Sequence, residues 1–257
     1  MSEEVQISHV GPIAVVTLNR PEKRNALSST MLVRLLETMQ AIGADPAVRV
    51  MVLRGNGKAF CTGLDLAEMA EARARTGAVA LTDLEDVFGV VERLPQPTIA
   101  MVQGDAIAGG CELALHCDLR VAATDVRFSM PLAKLGLAIP LPLVQKLLDA
   151  IGTAHTRELL YTGEKLDGER ALALRMVNRL VPPDELESAA MSLAATIAAN
   201  APLSLRYFKR AIERGNRFRQ IEHEDLDRAI AEITASEDVV EGVAAMREKR
   251  RPAFKGS

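Results

Sequence analysis

The chain has 257 residues, 48% hydrophobic and 25% charged, with a formal net charge of −3. That length suits one large globular domain or a domain with an appendage, and the lack of a long Lys/Arg run excludes the clustered cations on which nucleic-acid binding by counterion release depends. No apolar stretch approaches the roughly 20 residues needed to cross a bilayer, and the opening MSEEVQISHV is acidic where a signal peptide is basic and then apolar, so a cytoplasmic protein with neither a membrane nor a nucleic-acid partner is expected.

Val5 and Ile7 alternate with polar neighbours, Gly11-Pro12 makes a turn and residues 13–18 are β-rich, so a hairpin opens the chain. Ser28, Ser29 and Thr30 offer N-caps to a helix whose apolar residues Leu32, Leu35, Leu36, Met39 and Ile42 follow the 3.6-residue period. Residues 49–53 read as a buried strand, and a Gly-rich loop over 54–63 leads into a helix at 65–69. A polar, mobile stretch is expected over 71–82. Helix resumes at 84–94, and Pro95 and Pro97 stop it before the strand 98–102, which Gly104 ends. Ala108-Gly109-Gly110 opens a short helix through Glu112 to His116, and 119–122 returns as strand. From Pro140 onward the pattern is helical, broken by Thr162-Gly163 and by a strand-like 177–181 before Pro182-Pro183. The alternation predicts an α/β fold: a repeating β-β-α core over residues 1–185 and a helical C-terminal region over 186–257.

Two loops share one design. In each, a strand ends, small residues let the backbone come close to a ligand, and a helix begins at once, leaving free N–H groups. They are Lys58-Ala59-Phe60-Cys61-Thr62-Gly63-Leu64-Asp65-Leu66 and Gly104-Asp105-Ala106-Ile107-Ala108-Gly109-Gly110-Cys111-Glu112. If the two helix N-termini converge, a pair of N–H donors can hold a developing thioester enolate, where losing one donor typically costs about 2.7–4 kcal/mol of transition-state stabilisation. Either loop alone reads first as a tight strand-to-helix turn.

Residues 18–27 (Leu-Asn-Arg-Pro-Glu-Lys-Arg-Asn-Ala-Leu), 59–66 and 108–114 resemble the signatures of the crotonase (enoyl-CoA hydratase/isomerase) family in order and spacing, and Glu241-Gly242 with 248–255 resembles its C-terminal end. The resemblance spans nearly the whole chain. It implies a spiral of β-β-α turns followed by helices, with 186–257 as the trimerisation region of a homotrimer or dimer of trimers. It also implies an acyl-CoA substrate, coenzyme A being part of the thioester, with no prosthetic group. Leu64 and Gly109 match the two positions whose N–H groups bind the thioester oxygen. Arg24, Ala26, Ala59, Thr62, Gly63, Leu64, Asp65 and Leu66 lie where the family wraps coenzyme A, and Lys249 matches a residue that reaches the nucleotide phosphates from a neighbouring subunit.

Hydration of an enoyl thioester needs a water activated at the β-carbon and a proton supplied at the α-carbon. The family's hydratases use two glutamates. Glu112 matches the first, although its position in a first helical turn also suits a carboxylate stabilised only by the helix dipole. The second position holds Leu132, which moves no proton, and 136–142 replaces a Gly-rich loop by Pro and aliphatics, implying a more apolar acyl pocket. One carboxylate suffices for a 1,3-proton shift, so isomerase-type transfer or an atypical hydratase is expected. An acyl-CoA decarboxylase and a non-catalytic acyl-CoA binder are the alternatives. A Ser-His-Asp hydrolase lacks support, since His9, His155 and His223 have no G-x-S-x-G partner.

Of the remaining candidates, His116 either tunes Glu112 from one helical turn away or is satisfied by local hydrogen bonds. Asp105 is either a polar group near the pocket or a turn-forming residue, and Asp65 reads as a helix cap. With no third ligand near Glu112 and His116, no metal is expected. Cys61, Cys111 and Cys117 form no CxxC pair and read as packed, reduced thiols.

Overall fold

The computed structural model describes residues 3–76, 82–217, 228, 231–232 and 234–253. Strands β1 (Val5–Val10) and β2 (Ile13–Leu18) form the expected antiparallel hairpin, with Val10 opposite Ile13 and Gly11 at φ +57° in the two-residue turn. Helix α1 (Ser29–Ala44) is capped by Ser28, whose side chain accepts from the Met31 N–H at 3.0 Å, and it buries Met31, Leu32, Leu35, Met39 and Ile42. Leu36 packs at the margin of the core.

Three successive turns of chain then repeat one pattern. Strands β3 (Val50–Gly55), β5 (Thr98–Val102) and β7 (Leu119–Ala123) lie parallel in a six-stranded sheet whose last strand is β10 (Arg179–Val181), ordered β1-β2-β3-β5-β7-β10. Each is followed by a three-residue strand, β4 (Ala59–Cys61), β6 (Asp105–Ile107) and β8 (Arg127–Ser129), placed in a second sheet with β9 (Lys165–Asp167). Each turn therefore crosses from one sheet to the other before its helix returns the chain. Strands β3 and β5 are buried along almost their whole length, which explains why they read as continuous apolar runs.

The helices differ from expectation at one place. Helix α2 (Leu66–Thr76) continues through the first half of the stretch expected to be polar and mobile, and α3 (Thr82–Arg93) begins at its end. Residues 77–81 of that stretch lie outside the described residues. Helix α4 (Gly109–His116) follows β6, and α5 (Leu141–Thr162) follows a 3-10 turn over Pro131–Leu135. Helix α6 (Gly168–Ala173) leads to β10 (Arg179–Val181), shorter than the strand expected at 177–181.

Helix α7 (Leu186–Ala198) belongs to the C-terminal half of the sequence but packs back on β2, β3, β5 and β7. Helices α8 (Pro202–Arg217) and α9 (Glu237–Glu248) follow, α9 lying against α2 and the 3-10 turn. Aliphatic side chains fill the core around the fully buried Phe60, Phe88 and Phe128. Among the described residues no single helix is long and apolar enough to cross a membrane.

Candidate active site

The two Gly-containing loops meet. A Cβ on Gly63, which sits at φ +84°, would lie 3.0 Å from the backbone nitrogen of Gly109, and one on Gly109 would lie 3.4 Å from the Gly63 Cα. The first loop is fixed by the Leu27 N–H donating to the Gly63 carbonyl (2.7 Å) and the Asp65 N–H donating to the Leu27 carbonyl (2.9 Å). Leu64, held between them in a bridge to Leu27, has its own N–H unused by any backbone or side-chain acceptor among the described residues.

The second loop is strained. Ala108, at φ +49° and ψ −119°, occupies a region that L-residues rarely enter, at a cost of roughly 1–3 kcal/mol. It is held there by its N–H donating to the Ser129 carbonyl (2.8 Å) and its carbonyl accepting from the Glu112 N–H (3.1 Å). That turn starts α4 at Gly109, whose N–H is one of the orphan donors of a helix N-terminus.

A cavity of about 530 Å3 opens in front of both loops. Its wall includes the expected residues Arg24, Ala26, Thr62, Leu64, Asp65, Leu66, Gly109, Glu112 and Leu132. Gly63, between the lining residues Thr62 and Leu64, is not itself on the wall. Ala59 is buried in β4, where its carbonyl accepts from the side chains of Asn25 and Gln103, and it is not on the wall. Lys249 is exposed at the C-terminus of α9, away from the cavity of its own chain.

The structure adds wall residues that periodicity alone did not reveal: Leu84, Phe88 and Leu143 from α3 and α5, Met69 from α2, and the cations Lys23, Lys134 and Lys165. Only the apolar run 137–140 carried a signal, and all four of its residues line the cavity.

Glu112 lies on α4, 1% exposed, with neither carboxyl oxygen hydrogen-bonded. Burial pushes its pKa well above the usual 4.5, and the cation of Lys146, itself paired with Glu92 at 2.6 Å, offsets this only in part. Its environment therefore favours the protonated form over the carboxylate.

His116 is one turn further along, its Nδ1 2.8 Å from the Glu112 carbonyl and 4.0 Å from the carboxyl. Burial lowers its pKa to about 4, so it is a neutral, locally satisfied imidazole packed on Phe88.

The other carboxylates on the wall are engaged. Asp65 caps α2 through the Ala67 N–H (3.0 Å) and is bonded by Arg20 (3.2 Å); burial opposes its ionisation, but these partners outweigh that and lower its pKa. Asp105 accepts from Arg24 at 2.6 Å. Among the described residues no three His, Cys, Asp or Glu converge as a metal site. Cys61, Cys111 and Cys117 are free and buried, and burial raises each thiol pKa, to about 12 for Cys61 and Cys117.

The sequence model of enoyl-CoA hydratase/isomerase matches residues 9–257. The chain belongs to the enoyl-CoA hydratase/isomerase family. It is 38% identical to a putative enoyl-CoA hydratase of Thermus thermophilus over 95% of this chain and 98% of that one. It is 34% identical to a short-chain-enoyl-CoA hydratase of Clostridium acetobutylicum over 94% and 93%. Among solved structures, a methylmalonyl-CoA decarboxylase in complex with 2-nitronate-propionyl-CoA superposes with a TM-score of 0.91 over the full length of both chains, at 28% identity. The expected crotonase-type α/β fold is thus the observed one, and this member of the family is an enzyme acting on acyl-CoA.

Proposed function

We propose that the enzyme forms a thioester enolate and moves protons with a single carboxyl, Glu112, in a Δ3–Δ2 enoyl-CoA isomerisation. The N–H groups of Leu64 and Gly109 hold the thioester oxygen. Glu112, once ionised, takes the α-proton; the electrons pass to the thioester oxygen as a dienolate, and the Glu112 O–H returns the proton at the γ-carbon. The observation that carries this reading is the setting of Glu112: buried, without a hydrogen bond and on the cavity wall, while Asp65 and Asp105 are bound to Arg20 and Arg24; Leu132, which the resemblance matches to a second carboxyl, also lines the wall. Among the described residues every other carboxylate on this wall is paired with an arginine, which weighs against syn hydration with two free carboxyls.

Full-length similarity to a decarboxylase supports a second reading, decarboxylation of a malonyl-type thioester. The C–C bond then breaks to release carbon dioxide, and the neutral Glu112 protonates the α-carbon of the enolate.

The two readings demand opposite forms of one residue. Isomerase kcat/KM should rise with pH as Glu112 ionises, whereas decarboxylase kcat/KM should fall over the same range. A 3-enoyl-CoA, crotonyl-CoA and methylmalonyl-CoA assayed across pH therefore separate them, and fast crotonyl-CoA hydration would sink both. Binding of all three without turnover would leave a non-catalytic acyl-CoA binder. We also propose that the enzyme works in the cytoplasm as a homotrimer or dimer of trimers; the exposed apolar side chains Leu203, Tyr207, Phe208 and Ile212 on α8 support self-association.

A further inference from the structure

We propose that Asp105 is a positioning residue for the nucleotide end of the substrate, holding the Arg24 guanidinium across the cavity mouth so that the phosphates of coenzyme A meet a cation already in place. The inference rests on the acyl-CoA reading above.

Arg24 and Asn25 are consecutive non-glycine residues in the left-handed region, at φ +54° and +55°. Each such residue costs roughly 1–2 kcal/mol, so the turn needs a lock. The buried Asn25 side chain supplies it: its Oδ1 accepts from the Arg20 N–H (2.9 Å), and its Nδ2 donates to the carbonyls of Asn56 (2.9 Å) and Ala59 (2.8 Å). The Arg24 carbonyl is held by the Thr62 hydroxyl at 3.3 Å. The backbone at Arg24 is thus fixed while its long side chain remains free to swing.

Asp105 removes that freedom. It sits in β6, paired in register with Ala59, and its side chain is 19% exposed against 59% for Arg24. Its Oδ2 is 2.6 Å from one terminal nitrogen of Arg24 and 4.0 Å from Lys165 Nζ, gathering two cations from separate elements. With Lys23 and Lys134 also on the wall, the mouth stays cationic despite this carboxylate. An ion pair so exposed adds little to stability. Its consequence is orientation: one nitrogen of the guanidinium is anchored while the remaining donors of its planar fork stay available to phosphate oxygens.

The test is calorimetric titration of crotonyl-CoA and of crotonyl-pantetheine, which lacks the nucleotide, into wild type, Asp105→Asn, Arg24→Ala and the double variant, each checked by thermal melting. Asp105→Asn is expected to raise the Kd of crotonyl-CoA roughly fivefold, leave that of crotonyl-pantetheine unchanged, and add nothing in the Arg24→Ala background. Unchanged or tighter crotonyl-CoA binding by Asp105→Asn, equal weakening of both ligands, or an effect additive with Arg24→Ala overturns the proposal. Wild type binding neither thioester overturns the acyl-CoA reading itself, which the Asp105 comparison alone does not touch.

Discussion

The Glu112 carboxyl is biased toward its protonated form because the protein gives its carboxylate no hydrogen-bond donor and takes it out of water. The same circumstance couples it to stability. The folded state keeps this proton at pH values where the unfolded chain, with its carboxyl near 4.5, has lost it, so the stability contribution falls as pH rises from about 4.5 toward the raised folded value. Glu112→Gln, which cannot ionise, should therefore melt increasingly above wild type as pH is raised through that interval, while its turnover drops about 10²–10⁴-fold, the usual worth of a positioned acid/base. His116 works from the other side: with a folded value near 4 against 6.5, it stays neutral while the unfolded chain takes up a proton, so stability is lost as pH falls from 6.5 toward 4. His116→Gln should flatten that acid limb of the melting profile.

At the scale of elements, the site depends on how closely the β4 and β6 turns approach. A Cβ at Gly110 would sit 2.1 Å from the Cys61 carbonyl oxygen, a backbone atom that cannot turn aside. Gly110→Ala should cost about 3 kcal/mol, at the upper end of overpacking, and should lower kcat beyond what the melting temperature explains, because relief of the clash moves the adjacent Gly109 N–H. Helix α8 docks through a different device, the Lys209 ammonium, 8% exposed, bonded to Asp118 (2.8 Å) and to the Gln96 carbonyl (3.1 Å). Asp118 is also bonded by the Thr98 N–H and hydroxyl, so Lys209→Met leaves it satisfied and should cost about 1–3 kcal/mol, whereas Asp118→Ala strands a buried cation and should cost more. Urea melts of the two variants order the costs.

For the whole molecule, one prediction concerns assembly. Leu203, Tyr207 and Ile212 are each more than 60% exposed along α8, a large apolar stripe for a surface helix. If it is a subunit interface, Tyr207→Asp should convert the oligomer to monomer in light scattering; an unchanged mass would remove this face from the interface. Helix α7 has a different role despite its place in the C-terminal region: it covers the large sheet.

What the sequence determined by itself follows from rules that act between near neighbours. Ser28 as a cap, the Gly11-Pro12 turn, the 3.6-residue stripe of α1 and the start of α4 at Gly109 are steric and hydrogen-bonding requirements of a few consecutive residues, and the ordered motifs named the family. The three-residue strands β4, β6, β8 and β9 were not legible, because so short a run carries no period and exists only through its partner in another turn of the spiral. Tertiary structure alone raised the pKa of Glu112, since desolvation is a property of everything packed around a group. It alone decided that Asp105 meets Arg24, 81 residues earlier in the chain, since an ion pair depends on distance in space and leaves no trace in spacing along the chain.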